Sequence, residues 1–232
     1  MDLIYQKKNR FLWSLLSFQS GFANIGGMLA VHHYVSHVTG FAGHIAINIL
    51  QKSYANAFLL LAIPITFLLG ATFSAFFSDI RRLKNQTPKY DFVLLCIAAL
   101  YFIISICGYK KYFGHFGEEL ISLRDYALMM MLCFASGAQN ALITTYSGAV
   151  VRTTHLTGLV TDLGIGVARV LSRSHHEHEK KSNFLRLEII ISFTIGGIIG
   201  AYLFQEKQFL GFLVPALISL IISFRFFKQK TN

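Results

Sequence analysis

Charge is scarce in this 232-residue chain: 14% of its residues are Asp, Glu, Lys or Arg, where soluble domains average about 25%. With 54% hydrophobic residues and 22 Phe, that argues against water as the only solvent. Acids are the scarcer sign, 11 against 21 bases. In a soluble protein a net charge of +10 would point to nucleic acid. Here the bases lie between apolar runs of membrane length, so topology accounts for them and no nucleic-acid partner is expected. Cysteine is rare too. Cys96, Cys107 and Cys133 fall in or at the end of apolar runs. They are odd in number and read as small hydrophobes, not as a disulfide framework or metal site. No nucleophile elbow, P-loop, HExxH or dinucleotide fingerprint occurs.

What is present is a series of apolar runs, at about 11–35, 55–77, 92–109, 126–150, 185–204 and 209–227. Each approaches the ~20 residues that cross a ~30 Å hydrocarbon core. Without water to satisfy the backbone, such runs form helices. Lys7, Lys8 and Arg10 resemble the start of a signal peptide, but the run behind them is long and lacks a small-residue cleavage site, so it is expected to stay as the first span. Six spans with the N-terminus inside put 16 basic residues on the inner side and 5 on the outer. That is a clear positive-inside bias. An eight-span alternative, with 38–52 and 154–169 also crossing, gives 15 to 6. It moves Arg81, Arg82, Lys84 and Lys89 outside, and six spans are preferred for that reason.

An internal repeat runs through the chain. SGFANIGG from Ser20 matches SGAQNALI from Ser136, pairing Ser20, Gly21 and Asn24 with Ser136, Gly137 and Asn140. After a two-residue insertion His37, Thr39 and Gly40 match His155, Thr157 and Gly158. LLGATFSAFF at 68–77 parallels TIGGIIGAYLF at 194–204, and AALYFIISI at 98–106 parallels PALISLIIS at 215–223. The same order over two halves points to a duplication. Three spans per half give the second half the opposite orientation, an inverted-topology repeat. The polar, uncharged stretch VSHVTGFAGHI at 35–45 and its counterpart TTHLTGLVTDLG at 153–164 would then be interrupted or re-entrant segments, which dip into the membrane where their backbone lines a cavity. The other reading is a pair of polar interfacial helices that cap the bundle.

VSHVTG in the first half, with SGAQNA and VVRTTHLTGLVTDLG in the second, resembles the YoaK-like family of bacterial membrane proteins, a domain of unknown function, over about 11–227. Phe41 stands where that family often has Asn after the first Thr-Gly. The resemblance implies an inner-membrane protein and brings no reaction with it.

Candidate site residues follow from the repeat. Asn24 and Asn140, polar at membrane depth, would contact a solute or hydrogen-bond between helices. Nearby Gln19 and Gln139 read as interhelical bridges. His37 and His155 can titrate near neutral pH. Thr39 and Thr157 accompany them. Asp162, seven residues after His155, would lie at the edge of the same cavity, or cap a helix or pair with Arg152 or Arg169. SHHEHEKK at 174–181 has zinc-like spacing but reads as a solvated loop. Gly196 with Gly200, and Gly70 with Ser74, permit close helix approach. Pro64 and Pro215 would kink their helices.

The expectation is an all-α polytopic membrane protein, residues 1–232 as one transmembrane domain, with about six helices as two three-helix inverted repeats at approximately 11–109 and 126–227. It would sit in the bacterial inner membrane with both termini cytoplasmic, as a secondary transporter or channel-like permease for a small solute or ion. The alternatives are an intramembrane enzyme using His37, His155 and Asp162, or an accessory subunit of another membrane protein. No cofactor or metal is expected. The partners are the lipid bilayer and a small solute or proton, with homo-oligomerisation left open.

Overall fold

Apolar sequence without an aqueous partner for its backbone folds as helix, and the computed structural model consists of helices joined by short loops, with no strand among its described residues, which are 7–120, 122–149, 151, 156–172 and 176–231. The order is α1 (Lys7–Val31), α2 (Val38–Leu50), α3 (Tyr54–Phe77), the single turn α4 (Asp79–Leu83), α5 (Tyr90–Tyr109), α6 (Leu123–Tyr146), α7 (Leu156–Leu171), α8 (His176–Lys207), a 3-10 turn at Gln208–Phe212 and α9 (Leu213–Thr231). Four stretches are long and apolar enough to cross a membrane: Tyr54–Leu83, Tyr90–Tyr109, Leu123–Tyr146 and Glu179–Lys228, the last holding both α8 and α9. Helix α1 has the length, 25 residues, but Gln19, Asn24 and its serines and glycines dilute its hydropathy.

Contacts fix the helix directions. Arg10 pairs with Glu188, and Phe22 meets Phe204 with ring centroids 5.1 Å apart, so α1 and α8 run parallel. Gln19 bonds Gln139 while Trp13 meets Tyr146, so α6 runs against α1. Tyr90 meets Phe226 at one end and Tyr101 stacks on Phe212 at the other, making α5 and α9 antiparallel. Tyr90 also meets Tyr146 while Tyr101 bonds Ser136, which makes α5 antiparallel to α6. Phe73 lies beside Phe134 in the parallel pair of α3 and α6. The six long helices therefore alternate in direction along the chain.

Two helix crossings hold the bundle, and both read Phe-x-x-Gly against Phe-x-x-Gly. A Cβ on Gly21 of α1 would overlap the main-chain carbonyl of Phe193 on α8, and one on Gly196 would overlap that of Phe18. A Cβ on Gly137 of α6 would overlap the carbonyl of Phe67 on α3, and one on Gly70 that of Phe134. Only glycine allows backbones so close. Gly200 continues the approach, its would-be Cβ meeting Ile25 and Phe22. Pro64 lies inside α3, as the sequence suggests. Pro215 instead falls in the first turn of α9, where a missing N–H costs nothing.

Buried amides join α1, α6 and α9. Gln19 Nε2 donates to Gln139 Oε1 at 2.7 Å and to Ser219 Oγ at 2.8 Å. Gln139 Nε2 donates to Ser20 Oγ at 3.0 Å and Leu16 O at 3.1 Å. Both amides are thus structural ties, as interhelical glutamines in an apolar medium must be. At the helix ends, Ser122 N–H donates to Asp125 at 2.7 Å in a capping box that starts α6. Arg82 donates to Thr145 O in its last turn, at 3.1 Å, where a cation complements the helix dipole.

Candidate functional site

The chain reverses after α1. His32 takes φ 58°, a left-handed conformation that ends a helix, and residues 32–37 then run back down along α1. Val35 lies where a Cβ on Gly27 would be. Ser36 donates to Asn24 Oδ1 from its backbone N–H, at 3.2 Å, and from its hydroxyl, at 3.1 Å. The thiol of Cys133 on α6 donates to Val35 O at 3.3 Å. Asn24 lies seven residues below the end of α1, so the chain returns by about 10 Å. Helix α2 starts at that depth and packs on α3. Asn24 thus holds the loop down, a role its repeat position alone does not reveal.

Helix α7 follows α6 as α2 follows α1. It packs on α8 as an antiparallel hairpin, with Arg169 donating to Glu179 at 2.8 Å. A Cβ on Gly166 would meet Asn183 and Arg186. The start of α7 thus lies away from the α7–α8 turn, as the start of α2 lies away from its turn into α3.

These two starts open into one cavity of about 540 Å³. Val38 and Thr39 enter it from α2, and Leu156, Thr157 and Gly158 from α7. Asn24, Tyr34, Ser36 and His37 line it with them, and Phe193 forms a wall beside the α1–α8 crossing. Gly40 N–H donates to His37 O at 2.9 Å, and no side chain caps α2, so the N–H groups of Val38 and Thr39 keep their donor capacity. The His37 ring lies over Gly40, where a Cβ would come 3.2 Å from Nδ1. The lining described is rich in donors, and no carboxylate is among it.

Of the seven residues singled out by sequence, Asn24, His37, Thr39 and Thr157 are brought together here. Asn140 is half-buried on α6 and does not line this cavity; its carbonyl accepts from Thr144 at 2.8 Å. Asp162 is exposed on α7 and is not among the lining residues. His155 and Arg152 lie outside the described residues, as do Arg173, Ser174 and His175, and the side chains of His176 and His178. Among the described residues no group of three metal-ligating side chains occurs. Sequence reasoning missed Tyr34, Ser36 and Phe193. Ser36 precedes the matched His37 and could have been sought as the partner of Asn24.

A family model described as a protein of unknown function, DUF1275, matches residues 12–224. Neither a curated protein nor a solved structure gives a significant match.

Proposed function

We propose that this chain, which belongs to the DUF1275 family of proteins of unknown function, is a bacterial inner-membrane permease that moves a small polar or anionic solute through the cavity between α2 and α7. The alternating directions of α1, α3, α5, α6, α8 and α9 support six crossings, with both termini on the side that carries the basic residues. The reciprocal Phe-x-x-Gly crossings support an inverted repeat, since each half supplies one helix to each crossing.

One observation carries the reading: the first turns of α2 and α7, arriving from opposite sides, open into one cavity whose mostly apolar wall carries several polar side chains. Helix N-termini present unsatisfied N–H groups and the positive end of the macrodipole. Donors from the Asn24 amide nitrogen, Thr39 and Thr157 add to them. Such a lining binds carbonyl, hydroxyl or anionic oxygens in preference to cations. Without an ATP-binding motif, movement would be secondary or passive. An enzyme built on His37, His155 and Asp162 is less well supported, because Asp162 is not among the lining residues.

The test is uptake into proteoliposomes across a panel of small anions and neutral polar solutes, with and without a pH gradient. Asn24→Ala and Thr39→Val should each lower uptake of the transported solute about tenfold, the worth of one hydrogen bond to a bound oxygen. Uptake unchanged in both variants would remove the cavity from the pathway.

A further inference from the structure

Two imidazoles meet where α2 passes the outer end of α1. His33 Nδ1–H donates to Val31 O at 2.9 Å, so an added proton goes to Nε2. The ring of His44, on α2, lies 4.8 Å from that of His33, tilted by 47°. Phe41, also on α2, stacks on His33 at 5.8 Å and 8°. His33 is half-buried and His44 exposed. While both are neutral, the contact is an aromatic one joining the 32–37 loop to α2. Once both are protonated, two cations face each other beside an apolar ring. Helix α2 packs chiefly on α3, so little else ties it to α1, and its first turn carries Thr39 into the cavity.

We propose that His33 and His44 form a proton-sensitive latch that holds α2 against the end of α1 when neutral and releases it when both are charged. Acidity on the outer face would then regulate the cavity, an inference that rests on reading that cavity as a transport site. The charged groups acting on His33 are His44 from α2 and His32 from its own loop, while α1 contributes the Val31 carbonyl. Burial first, then His44 and His32, hold His33 below the ordinary imidazole range, against the Val31 hydrogen bond. A depressed folded value means that the closed latch is intact above the unfolded pKa of about 6.5. It weakens as the pH falls from there through the folded value.

Spin labels at Leu50→Cys on α2 and Tyr112→Cys in the 110–122 segment report the latch, in the full chain in lipid with its three native cysteines replaced. Their separation is measured by pulsed dipolar spectroscopy at about pH 8 and about pH 5, on either side of the imidazole range. Acidification should shift it by about 3 Å or more, beyond the van der Waals reach of the rings. The shift should vanish in His33→Gln and in the exposed-site variant His44→Gln. No shift between the two pH values, or one that persists in His44→Gln, overturns the latch. No solute is added, so a moving latch in a chain that transports nothing would sink only the permease reading.

Discussion

Alanine at Gly21, Gly196, Gly70 or Gly137 should destabilise the bundle, and pairs of these substitutions should combine by crossing. Each new Cβ would lie well inside van der Waals contact with a main-chain carbonyl, which cannot rotate away as a side chain can. The helices must part instead. A gap of about 0.5–1 Å forfeits a quarter to a half of the dispersion attraction across it, and overpacking of this kind costs ~1–3 kcal/mol. Alanine recovers up to about 1 kcal/mol of helix propensity over glycine. The packing loss exceeds that gain, leaving a net cost of about 1–2 kcal/mol. Gly43 and Gly164 have nothing within 4 Å of a would-be Cβ, so alanine there should be neutral or stabilising by up to ~1 kcal/mol. Gly21 and Gly196 share one crossing. Once the first substitution has parted those helices, the second should add under ~0.5 kcal/mol. Gly21→Ala with Gly70→Ala touches both crossings and should be additive to within about 0.5 kcal/mol. Equilibrium unfolding in mixed micelles, followed by circular dichroism, measures all of these. A Gly21→Ala/Gly196→Ala pair costing the full sum, or Gly43→Ala costing as much as Gly21→Ala, would refute the argument.

Gln139→Leu should cost about 1–3 kcal/mol in the same assay, because it strips partners from Gln19 and Ser20 where both are buried. Adding Gln19→Leu should cost less than its single-variant value, and strict additivity would show that the two amides are not coupled. In intact cells, single cysteines at exposed Asn85 and Lys180 should resist an impermeant thiol reagent, whereas one at exposed Tyr112 should label. Labelling at Asn85 would favour eight crossings. Tyr112 is the better outer reporter than Phe116, whose ring packs on Phe204 and Phe209.

The long helices were legible in the sequence because apolar runs bounded by basic residues are their own signal. Each of the six runs falls on one of the long helices, with ends shifted by up to four residues except at the start of α8, which begins nine residues before its run, at His176. The matches Ser20–Gly21 to Ser136–Gly137 and Leu69–Gly70 to Ile195–Gly196 fell on the two crossings. The spacing Phe-x-x-Gly, which occurs at all four contact points, was not read, because phenylalanine is so common here that one more per motif carries little signal. Asn24, His37, Thr39 and Thr157 were singled out through the repeat, and they line one cavity. Asp162 was singled out on the rule that an acid at membrane depth is functional; it is exposed on α7 and is not among the residues that line the cavity. Tyr34 and Phe193 enter the cavity from a loop and a distant helix, and no local pattern joins them.

The two crossings have a consequence for how freely the halves can differ. Each joint is closed by a glycine lying on a peptide carbonyl, and every residue type supplies the same carbonyl. The joint therefore specifies little about the side chains beside it. Substitutions can accumulate around the contact without loosening it, provided the glycine stays. Two halves built on such joints can share a geometry while losing nearly all resemblance in spelling. In this chain a few scattered matches accompany two reciprocal crossings.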